Sequence, residues 1–349
     1  RRHTRFRNVT GVQTCALPSK MMEKTSQVEN VKNSDVTIQL QLPNEWNPTL
    51  GKINIGITAG VETDKCNPEW ITACNNMTKV LVPSQHVKNT FDATGTTTTP
   101  VIVVPESYPD ALKNSVVGDN PFQFSAENNF LIVAQLTGGN AFTDRKNTFF
   151  AIKWLCEAFS GREDIGIVLK TNMGRNTAID RKAVTNLLNQ LMSEVRRSTN
   201  KTPKLHLLHG TMTDEELNSL YRHPKIKALV SLTRGEGFGL PLLEAAVTGL
   251  PIIATGWSGH MDFLGKGKFI NVDYKLEPVN NMRIDGKIFV KDTKWAMPLE
   301  DDFKKKVKKF IDSQTLPREW AKELSAKLTQ EYSQASIEGY LDNAIGEYL

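Results

Sequence analysis

The residues best suited to chemistry stand in one run, SLTRGEGFGLPLLEAAVTGLPIIATGWSGHMDFL, from Ser231 to Leu264. Gly235, Gly237 and Gly239 interrupt the chain between a β-rich segment and a helical pattern that begins near Leu240. Without Cβ atoms the backbone can approach a ligand closely. The free N–H groups at a helix start carry about half a positive charge, so this turn suits an anion, phosphate above all. Glu236 precedes the last glycine of the turn and Glu244 lies about one turn into the helix, so the two carboxylates can address different parts of one ligand. Ionised carboxylates bind hydroxyl groups well. A diphosphate with a ribose on one side and a sugar on the other is a nucleotide sugar. A second reading stays open at this point, in which the glycines only make a turn and the glutamates only form a solvated face.

These residues need a frame of parallel strands with helices on both faces, and the alternation of β-rich runs and helical patterns from Asp35 onward supplies it. A first block reads as strands at 35–42, 52–60, 78–84 and 100–106, with helices near 68–76 and 85–93. About four strands are fewer than the five or six of a free-standing doubly wound domain, so this block reads as incomplete at its start. A second block reads as strands at 130–136, 165–171, 204–210, 226–232 and 251–255, with helices at 145–159, 177–197, 214–222 and 240–248. Thr213 followed by Glu216 is a capping box, and Pro241 sits where a first-turn proline is tolerated. The tail from about 300 reads as helical, with KKKVKKFID a solvated face and a further helix starting on Pro317.

The E-x7-E spacing inside EGFGLPLLEA, followed by a small-residue turn and PIIAT, resembles the C-terminal domain of retaining GT-B glycosyltransferases of the GT4 (group 1) type. HGTMTDEELNSLY and VETDKCNPEW...KVLVPSQHVKNTF resemble that family's upstream segments, so the resemblance spans about residues 35 to 349. It implies an α/β GT-B architecture of two Rossmann-like domains facing a cleft. Residues 21–125 would form a partial acceptor domain, 126–300 the nucleotide-sugar domain and 301–349 C-terminal helices. By resemblance, Glu236 contacts the donor sugar and Glu244 the ribose, while amides at Gly237, Phe238, Gly239 and Leu240 take phosphate, with Thr233 on the same donor side. Lys146 stands where the family has a basic residue that neutralises the diphosphate and serves catalysis, and Arg145 is its neighbour. The family's clamp arginine is replaced by Gln135, for which Arg145 or Lys170 could compensate. Glu62 resembles a position near the acceptor, and His260 could face the cleft or serve as a packing residue at a helix start. The implied reaction is metal-independent transfer, with retention, from a UDP- or GDP-linked sugar to a glycan, lipid-linked or protein hydroxyl, with no other cofactor. Two further classes remain, a nucleotide-sugar-binding module without transfer and a GT-B-like epimerase.

Composition narrows the remaining classes. The 349 residues are 39% hydrophobic and 23% charged, which excludes disorder, collagen and a disulfide-stapled mini-scaffold. The net charge of +5 suggests nucleic acid or anionic membrane until it is located: Arg1, Arg2, Arg5, Arg7 and Lys20 account for all of it. That segment, RNVTGVQTCALP in particular, resembles translated sequencing-adapter DNA, so residues 1–20 are expected to lie outside the fold. The rest is neutral overall, which argues for no nucleic-acid partner and at most peripheral membrane contact. No run approaches about 18 consecutive apolar residues, and a cytoplasmic protein is expected. Cys15, Cys66, Cys74 and Cys156 have neither CxxC spacing nor suitable histidine neighbours, so reduced thiols are expected rather than zinc ligands.

Overall fold

A computed structural model describes residues 34–114, 120–136, 140–199 and 201–349. The basic segment 1–20, with Cys15 and its adapter-like run, lies outside the described residues, as does the beginning of the stretch 21–125.

The first sheet has four parallel strands in the order of the chain: β1 (Ser34–Leu40), β2 (Gly51–Ile57), β3 (Lys79–Val82) and β4 (Val101–Val103). Parallel neighbours require crossovers, and α1 (Pro68–Asn75) and α2 (Gln85–Thr94) provide two of them. Each starts on a polar cap: Asn67 accepts from the Glu69 amide, and Ser84 from the Val87 amide.

The second sheet is built from β5 (Asn128–Val133), α3 (Thr148–Ala158), β6 (Ile165–Thr171), α4 (Ala178–Ser198), β7 (Lys204–His209), α5 (Asp214–Tyr221), β8 (Ile226–Ser231), α6 (Leu240–Val247), β9 (Ile252–Thr255), α7 (Met261–Leu264) and β10 (Ile270–Val272). Its order is β10-β9-β8-β5-β6-β7, parallel throughout. β6 is buried along its whole length, as its run IGIVLKT requires of a strand covered on both faces. The capping box at Thr213 and Glu216 forms, and Thr177 with Asp180 makes another.

Three features differ from the sequence reading. The second sheet has six strands rather than five, because β10 is only three residues long and carries no periodic signal. The helix expected at 145–159 begins at Thr148, since Asn147 adopts φ 56° and the Asp144 carboxylate accepts from the Thr148 amide at 2.7 Å. An antiparallel hairpin, β11 (Tyr274–Pro278) and β12 (Lys294–Pro298), had no counterpart in the sequence reading.

The chain closes with α8 (Glu300–Asp312), α9 (Thr315–Glu331) and α10 (Gln334–Ile345). In α8, Phe303, Val307 and Phe310 face the core, while Lys304 pairs with Glu157 at 2.6 Å and Lys306 with Asp302 at 2.7 Å. α9 starts two residues ahead of Pro317, which its first turn accommodates because those N–H groups have no helical partner.

Two of these late elements cover the first sheet. Val279, Phe289 and Trp295 of the hairpin segment pack with Trp70, Val80, Val82, Val87 and Phe91. On the opposite face, Leu341, Ala344 and Ile345 of α10 pack with Ile55 and Leu81. Strand alternation makes this division, since Leu81 points away from Val80 and Val82. Among the described residues, no helix is long and apolar enough to cross a membrane.

Candidate functional site

In the second sheet the chain leaves β5 toward β6 and β7, then returns to β8 on the other side of β5. The carboxyl ends of β5 and β8 therefore border a topological switch point, where open parallel sheets bind ligands. The segments that follow these two strands contribute to the site through residues 140–147 and 232–239.

The first segment turns on Asn140, whose Oδ1 accepts from the amides of Phe142 at 2.9 Å and Thr143 at 3.1 Å. Asp144 accepts from the Lys146 amide at 3.2 Å, which fixes Arg145 and Lys146 ahead of α3. Arg234, two residues before Glu236, ties the two segments together. Its amide donates to the Arg145 carbonyl at 2.9 Å, and its guanidinium donates to the carbonyls of Ala141 at 3.1 Å and Asp144 at 3.3 Å. The guanidinium also lies 5.1 Å from the Trp295 ring centroid, so the hairpin is part of the support.

Four charges meet here. Lys146 Nζ donates to both oxygens of Glu236, at 2.7 and 2.8 Å. Arg145 Nη1 donates to Glu236 Oε2 at 3.3 Å, and Nη2 lies 3.1 Å from Glu62 Oε1. The side chains of Arg145 and Glu236 are only 4% and 9% exposed, so the interaction takes place largely out of water. Burial alone would raise the Glu236 carboxyl, but Lys146 and Arg145 outweigh it and hold it down at about 2. Glu62 belongs to the loop after β2, so Arg145 links the two sheets.

The glycine turn lies against the same loop. A Cβ on Gly235 would overlap the Glu62 carbonyl, and one on Gly237 the Ala59 carbonyl. Gly239, at φ 104°, caps α6 in the left-handed region. Ser258, itself at φ 89°, accepts the Glu236 amide on its hydroxyl at 2.8 Å. Among the described residues, no acceptor meets the backbone N–H groups of Gly237, Phe238, Gly239 or Leu240. Four unpaired donors at a helix start, one to four residues beyond a lysine-bound glutamate, are an arrangement suited to an anion.

Beside this turn is a cavity of about 460 Å³, to which Val133, Lys170, Thr211, Leu240 and Glu244 contribute. Lys170 Nζ donates to Asn172 Oδ1 at 2.8 Å and to the Gly210 carbonyl. Glu244 accepts from the Tyr221 hydroxyl at 2.8 Å.

A family profile described as "Glycosyl transferases group 1" matches residues 192–325, less than half of the chain. No curated protein sequence matches. Among solved structures, one described as trehalose-6-phosphate from E. coli bound with UDP-2-fluoro glucose is similar at a TM-score of 0.62 and 11% identity, covering 95% of this chain and 76% of that one. S. aureus TarM, in complex with Fondaparinux, alpha-GlcNAc-glycerol and UDP, is similar at a TM-score of 0.57 and 13% identity, covering 93% of this chain and 57% of that one. The pneumococcal O-GlcNAc transferase GtfA, in complex with UDP and GlcNAc, is similar at 0.58 and 14% identity, covering 94% and 59%. The fold is GT-B.

Within the GT-B frame, the structure brings Arg145, Lys146, Glu236 and Glu62 into one cluster, with the amides of Gly237 to Leu240 next along the chain. Glu244 and Leu240 line the adjoining cavity, and Lys170 lies there rather than with Arg145. Three side chains singled out from sequence are engaged elsewhere. Thr233 donates to the Gly235 carbonyl at 3.0 Å and shapes the turn. The Phe238 ring packs on Phe263 and Tyr332, leaving only its amide to the site. His260 is fully buried, with Nε2 2.7 Å from the Thr255 carbonyl oxygen and Nδ1 3.5 Å from the Ser258 hydroxyl that holds the Glu236 amide, so it packs behind the glycine turn at the start of α7.

Sequence reasoning missed the roles of Arg234, Ser258 and Trp295. An arginine between a buried strand and a glycine turn was a usable signal for Arg234, whereas nothing local marks the other two. Among the described residues, no group of three or more His, Cys, Asp or Glu is placed to hold a metal ion. Burial pushes the free thiols up, Cys66 to about 11 and Cys74 and Cys156 to about 12, so they stay protonated at neutral pH.

Proposed function

We propose that the chain is a retaining glycosyltransferase of the GT4 type, moving a sugar from a nucleoside diphosphate sugar to an acceptor hydroxyl. The observation that carries this reading is the run of four unpaired amides at Gly237 to Leu240, next to Lys146 and Arg145 and bordering the cavity that holds Glu244. In this reading the diphosphate lies on the amides, the nucleoside occupies the cavity with its ribose at Glu244, and the donor sugar meets Glu236. The three neighbours are complexes with UDP or a UDP-linked compound, which favours a nucleotide-sugar donor and UDP first.

The chemistry follows from charge. As the bond between anomeric carbon and phosphate oxygen breaks, positive charge grows on the sugar ring and negative charge on the leaving diphosphate. Fixed amides and the two cations stabilise the latter without reorganising. The acceptor oxygen bonds to the anomeric carbon on the face the diphosphate leaves, and the departing phosphate oxygen takes the acceptor's proton, so no protein nucleophile is required. Glu62, on the first-sheet side, would border the acceptor. In this reading Lys146, Arg145 and the amides do the work a metal ion would otherwise do, so transfer persists in chelator.

Thermal stabilisation by a panel of nucleoside diphosphates and nucleotide sugars tests the reading. A ligand at about 100 times its Kd stabilises by about 2.7 kcal/mol. A UDP or GDP compound should raise Tm in the native chain and much less in Glu244→Ala. If none of the panel raises Tm, the reading fails.

A further inference from the structure

We infer that Tyr221 is a positioning residue that holds the Glu244 carboxylate ready for a ribose hydroxyl pair, an inference that rests on the nucleotide-sugar reading above. Tyr221 is the last residue of α5, is 1% exposed, and donates its hydroxyl to Glu244 Oε2 at 2.8 Å. Among the described residues this is the only hydrogen bond to that carboxylate. One oxygen is thereby fixed from behind, and the other remains for the cavity that Glu244 lines.

The phenol suits this task because it has one proton and keeps it. Burial and the neighbouring Glu244 charge push Tyr221 well above its ordinary value, so it keeps its proton and donates at neutral pH. Glu244 needs that help. Burial raises its carboxyl, Asp214 adds to the rise, and the Tyr221 hydrogen bond opposes both. The other titratable groups lining the cavity do not replace it. Lys170 is turned to Asn172 and the Gly210 carbonyl, and the Tyr108 hydroxyl donates to the Thr329 carbonyl at 2.7 Å. Without the phenol, Glu244 would take up a proton at higher pH and lose the charge that strengthens its bonds to hydroxyls.

The test is calorimetric binding of UDP and GDP, and of their 2′,3′-dideoxy counterparts, to the full chain from the lowest pH at which it stays folded up to about pH 8.5. The dideoxy compounds carry the same phosphates, so they subtract the phosphate's own titration. Ribonucleotide affinity should be full above the Glu244 pKa and fall below it. In Tyr221→Phe it should drop roughly tenfold, the scale of one hydrogen bond to a charged group. The fall should also begin at a higher pH, with dideoxy binding unchanged. Glu244→Gln still accepts from Tyr221 but cannot titrate, so its ribonucleotide profile should follow the dideoxy one, and adding Tyr221→Phe to it should shift nothing further.

An equal loss for ribonucleotides and dideoxynucleotides in Tyr221→Phe would mean a packing role and overturn the inference. So would an unmoved pH profile. Wild-type protein that binds both sugar forms equally removes the ribose contact but leaves the nucleotide reading standing, whereas failure to bind any of the four compounds removes both.

Discussion

Replacing Glu236 by glutamine removes one negative charge from the buried cluster while keeping the side chain's size and one acceptor for Lys146. Arg145 then keeps Glu62 at 3.1 Å, while Lys146 loses the carboxylate it pairs with at 2.7 Å. The depression of Glu236 from 4.5 to about 2 corresponds to about 3 kcal/mol at about 1.4 kcal/mol for each tenfold change. Removing one partner of a buried ion pair typically costs a similar 3–5 kcal/mol or so. The sign with pH follows from the folded value lying below the unfolded one. Stability from Glu236 is fully present above about pH 4.5 and is lost as pH falls toward about 2. Glutamine cannot titrate, so urea unfolding should show the variant about 3 kcal/mol weaker at pH 7, with the gap narrowing between about pH 4.5 and pH 3. Ligand binding should move the other way. With Glu236 neutral, a diphosphate no longer competes with a carboxylate for Lys146, so UDP should bind at least as tightly to the variant while sugar transfer is lost. A gap that stays constant with pH, or UDP binding that weakens along with stability, would refute the reasoning.

Two further substitutions probe the frame around the cluster. Gly237→Ala would drive a Cβ into the Ala59 carbonyl, so the turn must retreat from the first sheet. Transfer should fall by tenfold or more while Tm moves by only a few degrees, and unchanged transfer in a steady-state assay would show that this close approach is dispensable. Trp295→Ala empties a buried site shared by the hairpin and the first sheet, and should cost about 3–5 kcal/mol in urea unfolding. A loss below about 1 kcal/mol would mean that the hairpin does not stabilise the first sheet.

The alternation of β-rich runs and helical patterns was enough to place four strands in the first sheet and most of the second. Those runs are long, apolar and flanked by turn residues. The glycine turn and its two glutamates were legible for a related reason, since residue types and spacing carry that signal within a few positions. What escaped depends on distant partners. β10 is three residues long, and the hairpin's YKLEP shows little apolar alternation, so neither stands out from loop sequence. His260 could not be assigned from its neighbours, because its partner is the Thr255 carbonyl and its burial comes from the closed packing around α7. Lys170 and Arg145 looked interchangeable as cations near a phosphate. Only the fold separates them, placing one beside Glu244 and the other between Glu236 and Glu62.

The coverage of the first sheet has a consequence for how the protein is made. One face is finished by Val279, Phe289 and Trp295, and the other by Leu341, Ala344 and Ile345. The contacts span long stretches of chain: Asn67 bonds to the Lys287 carbonyl across 220 positions, and Lys79 to the Ala344 carbonyl across 265. A ribosome emits residues at about 5–20 per second, so strands β1 to β4 wait many seconds before either covering element exists. During that interval their apolar faces are open to water and to other chains. The second sheet waits as well, since Phe303, Val307 and Phe310 of α8 and Leu324 and Leu328 of α9 complete its two faces. Synthesis therefore runs from first sheet to second, whereas the first sheet becomes stable only once elements beyond the second have been made.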